Sequence, residues 1–382
     1  MSKIVKPAVR VLQGRNTLFA TSFLVKDFTI SNFYDIDKLD VSGGKGYQRL
    51  LQEERMNRLA RYMAESWREG HRAFLPTSIF LATEGKIDFN EERNEISFES
   101  GETGGVCPFK VVDGQHRIEG LLRASDTIPE LENFPIIANI AVEMKEVEQV
   151  LQFFIVNTTQ KAVDQSVGQR IKARFHKMLE TETMPYIPSW IKPAIDKGSD
   201  AEALDIVDFL NSESDSPWYR RIQMANEGKT EGKSISQKYF VTALKTCVIN
   251  GSHSLYLHDK EKRHRIFKNY WSAVAQCFTV PETQRNTVVF KSTGVWFFCR
   301  SSSAVINIAN WRRSYHVKDF VDIFQSTREH LPDDLLPMMN AEWWESGNEA
   351  SGLNRGMTDK KAIEFSQVVI RVAQVPQSES QQ

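Results

Sequence analysis

The feature that most constrains this chain is a strand followed at once by a helix, at residues 111–122, VVDGQHRIEGLL. Two β-branched valines end an apolar segment, which predicts a buried strand. An Asp-Gly pair breaks that strand, and from Ile118 apolar residues recur at helical spacing. Asp113 is predicted to cap the helix, which would then begin near Gly114.

The first turn of this predicted helix carries reactive side chains, Gln115, His116 and Arg117. The free backbone N–H groups and the dipole at a helix N-terminus favour an anion. Arginine makes bidentate contacts with phosphate, and histidine transfers protons near neutral pH. The pattern therefore indicates a phosphate-binding turn. The structural alternative is a capped helix with a His–Asp or Arg–Asp pair and no chemistry.

The composition is that of an ordinary globular protein, and 382 residues are enough for two domains. The net charge of −1 argues against a uniformly basic DNA-binding protein but is compatible with a local basic groove. The four scattered cysteines offer neither a disulfide framework nor a zinc site, so no metal ligands are assigned. No signal peptide or membrane-length apolar segment is recognised, and a cytoplasmic protein is expected.

Strand and helix patterns alternate up to residue 165, which predicts one α/β domain. The predicted strands lie within 8–34 and at 74–81, 86–89, 95–98, 106–112 and 134–142, and the predicted helices at 51–69, 114–125 and 145–156. Residues 166–376 are predicted to form a mainly helical domain, and 377–382 a disordered tail. The predicted helices of this second part lie at 166–182, 202–211, 235–249, 261–278, 316–330 and 360–373.

Several other segments have both a functional and a structural interpretation. The glycine-rich segment 42–46 is either a surface loop or a phosphate-cradling turn, and it lacks the Walker A order. Asn157 could cap a helix and Lys161 could be a surface residue, or both could line the cleft of the strand–turn–helix. Residues 216–222 interleave aromatic residues with arginines, which is typical of nucleic-acid surfaces and also of packed domain seams. The candidate DNA contacts there are Trp218, Tyr219, Arg220 and Arg221.

The pentapeptide 113–117, DGQHR, is the signature of the DGQHR-domain proteins, and the chain resembles this family over most of its length. Residues 47–62 resemble the family's first motif, 153–161 its third, and 215–222 its downstream helical part. The resemblance implies an amino-terminal ParB/sulfiredoxin-like domain in an α/β (α+β) chain, followed by a mainly helical domain. It also implies a setting of DNA modification and phage defence.

Within this family the resemblance leaves two branches open. The DndB-like group is expected to have Asn before the pentapeptide, and Arg and alanines after it. Here Val112 precedes the pentapeptide and Ile118-Glu119-Gly120 follows it. This departure favours the DpdB-like branch, which implies an ATPase that supports insertion of 7-deazaguanine into DNA. The alternatives are a DndB-like DNA-binding regulator of a phosphorothioation system without turnover, and a ParB-like nuclease.

The resemblance also implies partners and residue roles. DNA and a DNA-modifying enzyme of the base-exchange transglycosylase type are the expected partners, ATP is the expected substrate, and Mg²⁺ is expected from phosphoryl chemistry. Asp113 is expected to cap the helix or face magnesium, and Gln115 or His116 to position the attacking water. Arg117 is expected to hold phosphates with the Gly114 turn, and Arg49 and Arg58 to neutralise charge from the opposite side. The residues expected to contact the phosphates are Gln48, Arg49, Arg58, Gly114, Arg117, Asn157 and Lys161.

Overall fold

The computed structural model describes residues 2–40, 46–48, 50–100, 106–160, 164–178, 187, 189, 192–227, 232–249, 251–280 and 287–374. The chain divides into two compact units, one of residues 1–171 with 181–188 and one of the remainder. No helix within the described ranges is long and apolar enough to cross a membrane. The predicted tail at 377–382 lies outside the described residues.

A mixed sheet organises the first unit. Its described strands are β1 (Ser2–Gln13), β2 (Asn16–Leu24), β3 (Tyr34–Asp35), β4 (Ile79–Ala82), β5 (Asp88–Asn90), β6 (Glu95–Ser100), β7 (Phe109–Asp113) and β8 (Pro135–Ala141). Their order in the sheet is β3-β7-β4-β8-β2-β1-β6-β5. The pairs β3–β7 and β4–β8 are parallel, whereas β4–β7 and β2–β8 are antiparallel. Strand β7, which carries Asp113 at its end, thus lies between two neighbours and is well fixed.

Among its described residues this unit contains the starts of α-helices α1 (Glu53–Arg68), α2 (Gln115–Thr127), α3 (Glu146–Gln160) and α4 (Gln165–Met178), and the end of α4 belongs to the second unit. Helix α2 buries Ile118, Leu121 and Ala124, as its apolar spacing predicts. Its other side meets α1 closely, since a Cβ added to Gly120 would lie 2.9 Å from Cδ2 of Leu59. The predicted α/β class is confirmed.

Two element bounds differ from the sequence prediction in ways that affect the site. The strand predicted at 74–81 is shorter, because only Ile79–Ala82 pairs with β7 and β8. Helix α3 continues to Gln160 instead of ending at residue 156. Asn157 therefore does not cap the helix. It lies inside it, and its Nδ2 donates a hydrogen bond of 2.9 Å to the carbonyl oxygen of Phe153.

The second unit is mainly helical, as predicted. Its helices are α5 (Lys192–Asp196), α6 (Ser199–Ser212), α7 (Gln237–Cys247), α8 (Lys260–Phe278), α9 (Ser292–Arg312), α10 (Val317–Arg328) and α11 (Arg355–Gln374), with a short parallel pair β9 (Ile222–Gln223) and β10 (Ile235–Ser236). Helix α9 was not predicted from the sequence. It is buried on most sides, with Val295, Phe298, Cys299 and Val305 all inaccessible to solvent, so it lacks the one-sided apolar stripe that marks a surface helix.

Trp218 of segment 216–222 belongs to the core of this second unit. The indole of Trp218 is fully buried, and its ring centroid lies 4.7 Å from Phe240, 5.1 Å from Trp271 and 4.8 Å from Phe290. The prediction that Trp218 contacts DNA is therefore wrong for this fold, because a ring without exposed surface cannot stack on a base. The alternative interpretation, packing at a domain seam, is correct in that Trp218 is packed instead of exposed, but its three aromatic neighbours lie in the core of the same unit.

The other members of the segment differ in exposure. Arg221 lies with its guanidinium 4.7 Å from the ring centroid of Phe290, so it packs along the same aromatic cluster. Tyr219 is 37% exposed, and the guanidinium of Arg220 lies 5.1 Å from its ring. DNA contact by Tyr219 and Arg220 stays a prediction.

One buried histidine in this unit makes stability depend on pH. Nδ1 of His253 accepts a hydrogen bond of 3.2 Å from the backbone N–H of Leu255, so Nε2 carries the proton. Nε2 lies 2.9 Å from Oγ of Ser302, and that hydroxyl in turn donates to the carbonyl oxygen of Cys299. Burial lowers the pKa of His253 to about 4. The folded protein therefore holds this ring neutral.

The second unit is expected to lose stability as the pH falls from about 6.5 towards 4. In that range the unfolded chain protonates His253 and the folded chain does not, so protons favour unfolding and the stability is fully present only above the ordinary histidine pKa. The loss is up to about 3 kcal/mol. Urea unfolding of the parent and of His253→Gln at several pH values measures it. An identical pH slope in the variant would contradict the assignment to His253.

Candidate functional site

The turn between β7 and α2 depends on a glycine in a left-handed conformation. Gly114 has φ 104° and ψ 8°, and α2 begins at Gln115. The first helical hydrogen bonds run to the carbonyl oxygen of Gly114, from the N–H of Arg117 at 2.8 Å and of Ile118 at 3.1 Å. The residue that caps the helix is thus Gly114. The sequence prediction of Asp113 as the cap is wrong. Asp113 ends the strand, and its carboxylate bonds a side chain instead of the helix backbone.

Asp113 and Arg117 form an ion pair across this turn. Nη2 of Arg117 donates to Oδ2 of Asp113, and Nη1 donates to the carbonyl oxygen of Ser78. Ser78 itself is held from β8, because Nδ2 of Asn139 donates to its Oγ at 2.9 Å. The guanidinium is therefore oriented by two acceptors from different parts of the sheet, while 21% of the arginine side chain and 29% of the aspartate side chain stay accessible.

The ion pair lines a cleft of about 610 Å³ in the first unit. The residues around the cleft are Gln13, Asn16, Leu18, Pro76, Thr77, Ser78, Phe80, Asp113, Arg117, Asn139, Met144, Gln152 and Val156. Arg117 and Asp113 are the charged residues among them, and their charges balance. The remaining polar groups are carboxamides and hydroxyls. This lining is more polar than that of most small-molecule pockets, which are largely apolar, and it suits a ligand with many hydrogen-bonding groups.

His116 occupies a different environment from its neighbour Arg117. Its Nε2 accepts a hydrogen bond of 3.0 Å from the backbone N–H of Gln52, the residue that precedes α1. Because Nε2 is the acceptor, the neutral ring carries its proton on Nδ1. His116 is not among the described residues that line the cleft of Arg117. The side chains of His116 and Arg117 thus contact different residues. His116 accepts a hydrogen bond from the residue before α1 and fixes the position of that helix start.

The first family motif is fixed beside this turn by backbone and aromatic contacts. The N–H of Gln48 donates to the carbonyl oxygen of Asp37 at 3.0 Å, and the Gln48 side chain is buried. The ring of Tyr47 packs on Phe153 of α3 with the centroids 5.2 Å apart. Through Gln52 the same segment reaches His116. The first motif therefore contacts the pentapeptide through Gln52 and His116, and the third motif through Tyr47 and Phe153.

The structure brings some of the predicted phosphate-binding residues to this turn and leaves others elsewhere. Gln115 is buried, with 7% of its surface exposed. Arg58 lies on the exposed side of α1, where it pairs with Glu54 at 2.7 Å, and it is not part of the cleft lining. Arg49 and Lys161 lie outside the described residues.

Sequence reasoning missed the neutral polar residues of the cleft, which come from four separate segments. One of them, Asn139, could have been recognised from the sequence. Asn139 is the single polar residue in the apolar strand segment 134–142, FPIIANIAV, and a lone amide in a buried strand calls for a hydrogen-bonding partner. Ser78, Gln13, Asn16 and Gln152 carried no such signal, because nothing in their local sequence links them to the pentapeptide.

Magnesium fits this site only together with a ligand that supplies further oxygens. The described residues contain no group of three or more His, Cys, Asp or Glu side chains that could hold a metal ion. Asp113 is the carboxylate in the cleft lining, and it is already paired with Arg117. Mg²⁺ commonly binds through one or two carboxylates and the phosphates of a substrate. The residues present are compatible with that mode.

Comparison with known proteins identifies a family that resembles the unit containing this site. Residues 6–171 match the family model described as "DndB: DNA-sulfur modification-associated". Neither the curated proteins nor the solved structures gave a match. The matched range contains β7, the pentapeptide and α3, so it supports the resemblance to the DndB and DGQHR proteins and does not extend to the DpdB branch. The amino-terminal unit of this chain is thus similar to the DndB family.

Proposed function

We propose that the amino-terminal unit is a nucleotide-binding ATPase that supports a DNA modification system. The observation that carries the proposal is Arg117, which Asp113 and Ser78 hold at the first turn of α2 and at the wall of a cleft of about 610 Å³. A helix N-terminus and an oriented arginine together favour the charge of a phosphate group. Pockets of this size class commonly enclose small ligands.

The charges of the described cleft residues do not by themselves balance the charge of ATP. The positive charge of Arg117 is largely offset by Asp113, whereas ATP carries about four negative charges when fully ionised. Binding therefore needs further cations. Arg49, within the first motif, and Lys161, the last residue of the third motif, are the proposed protein sources. Mg²⁺ bound to the nucleotide, with Asp113 as its protein carboxylate, would neutralise charge as phosphate is transferred.

Arg117→Ala is expected to reduce phosphate release from Mg-ATP by about 100-fold or more, because a fixed charge donor to the transferred phosphate is removed. Arg117→Lys should fail similarly, since an ammonium group cannot bond Asp113, Ser78 and a phosphate as the planar guanidinium does. Arg61→Ala, an exposed arginine of α1, is the matched control and should stay within about twofold of the parent. The readout is phosphate release from the full chain, with circular dichroism to verify folding.

The modification served is a separate question. The departures at Val112 and Ile118–Gly120 favour a 7-deazaguanine system, whereas the matched family's description favours sulfur modification. We propose a DNA modification role in which sulfur modification has the more direct support. The resemblance to the DndB-like group, which the matched family model supports, implies a second candidate function, a DNA-binding regulator without turnover.

Thermal unfolding with ATP, ADP or a duplex oligonucleotide separates the two functions. A ligand at 100 times its dissociation constant stabilises the folded state by about 2.7 kcal/mol. Stabilisation by ATP with phosphate release supports the ATPase. Stabilisation by duplex DNA alone, with binding that weakens steeply as salt rises, would replace it with the regulator.

A further inference from the structure

The end of α9 in the second unit exposes an aromatic ring between basic residues. The side chain of Trp311 is 57% exposed, and it is followed directly by two exposed arginines, Arg312 and Arg313. Neither guanidinium forms a hydrogen bond or an ion pair with another residue in the described ranges. Arginines at a helix C-terminus are commonly explained by the helix dipole. The dipole does not explain why the largest side chain at this end faces solvent.

A second aromatic residue is fixed beside this helix end. Nδ2 of Asn310 donates to the carbonyl oxygen of Ser254, so its Oδ1 faces His258 and accepts from Nε2 at 2.8 Å. The ring of His258 meets that of Tyr315 with centroids 5.1 Å apart. Nζ of Lys262 lies 4.9 Å from the Tyr315 ring. These contacts hold the start of α8, the end of α9 and Tyr315 together.

The charge of this region differs from that of the whole chain. Segments 257–265 and 311–319 together contain seven lysines and arginines and three acidic residues, whereas the chain as a whole has a net charge of −1. Leu257, next to His258, is 71% exposed. On another side of α8 a cleft of about 450 Å³ is lined by Lys177, Lys197, Lys260 and Arg263. Glu202 pairs there with Arg263, and Asp205 pairs with both Lys177 and Lys260, so the bases outnumber the acids. The surface around the start of α8 is thus predominantly positive.

We propose that Leu257, Lys262, Trp311, Arg312, Arg313 and Tyr315, together the Trp311 surface, bind single-stranded DNA. Bases stack on exposed aromatic rings without sequence preference, and neighbouring arginines contact the backbone phosphates. Duplex DNA offers no unpaired base to Trp311, so the arrangement favours the single strand. The inference stands apart from the proposed ATPase, since it concerns other residues in the second unit.

The test is fluorescence anisotropy with a labelled 20-nucleotide oligo-dT, using the full chain at low and moderate salt. Trp311→Ala is expected to weaken binding about tenfold, within the range measured for the loss of one stacked base, and Trp311→Phe to keep most of it. Arg312→Ala/Arg313→Ala is expected to weaken binding and to reduce the salt slope by about 1.4, as two phosphate contacts are removed. Lys360→Ala/Lys361→Ala in α11 is the matched control and should bind like the parent.

Several results would overturn the inference. These are failure of the parent to bind oligo-dT at low salt, binding of a duplex of equal length as tightly as the single strand, or unchanged affinity in Trp311→Ala. Because Trp311 is exposed, its replacement should leave the melting temperature nearly unchanged, which circular dichroism verifies. ATP turnover of Trp311→Ala should equal that of the parent, so failure here and failure of the proposed ATPase are distinguishable.

Discussion

Gly114→Ala is expected to destabilise the first unit by about 3 kcal/mol. A Cβ at this position would lie 2.6 Å from Cγ2 and 2.9 Å from Cβ of Ile79 in β4. The residue also has φ 104°, which side-chain-bearing residues rarely adopt. Strand β4 pairs with both β7 and β8, so Ile79 cannot move away without disturbing the sheet.

Differential scanning calorimetry measures this effect, with an expected fall in the melting temperature of the first unit of about 6–12 °C. Gly14→Ala is the matched control, because Gly14 also has a positive φ of 61° but would place its Cβ with nothing within 4 Å. In that variant the backbone is strained but the added Cβ overlaps no other atom, so the free energy of unfolding should fall by about 1 kcal/mol. Equal losses in the two variants would show that the contact with Ile79 is unimportant.

Trp218→Ala is expected to destabilise the second unit by about 3–5 kcal/mol, because it removes a fully buried indole from between three aromatic rings. The cavity would lie between α7, α8 and the segment before α9, which close packing prevents from collapsing fully. Trp218→Phe should recover much of the loss by refilling part of the volume.

Tyr219→Ala is the control for this second prediction. Tyr219 is 37% exposed, and its removal should change stability by about 0.5 kcal/mol or less. Urea unfolding of the three variants gives the free energies, and DNA binding is measured on the folded protein. A stable Trp218→Ala variant with selectively weakened DNA binding would restore the surface interpretation that the structure rejects.

The pentapeptide shows how far local sequence reasoning reaches. The strand, the break and the helix were all predicted, because hydrophobic periodicity and an Asp-Gly pair are properties of neighbouring residues. The identity of the cap was predicted wrongly. Aspartate is a frequent helix cap, but here the carboxylate of Asp113 accepts a hydrogen bond from Arg117 instead. The next residue must be glycine, because a Cβ at position 114 would overlap Ile79.

Trp218 and Trp311 show the limit of composition as a guide to binding. Both are tryptophans beside paired arginines, Arg220-Arg221 and Arg312-Arg313. Trp218, which was predicted to contact DNA, is buried, whereas Trp311, for which no DNA contact was predicted, is exposed. Only tertiary packing distinguishes them, since burial depends on which helices cover a residue. For the same reason α9, covered on most sides, gave no amphipathic signal.

The sequence by itself determined the α/β class, the helical second part and the strand–turn–helix at 111–122, because each follows from the spacing of nearby residues. Tertiary structure decided which side chains share the cleft. Successive helical residues point about 100° apart, so Arg117 reaches Ser78 in one direction while His116 reaches Gln52 in another. Asn139 comes to the same site from β8, and no local pattern links a residue on one strand to a turn that follows a different strand.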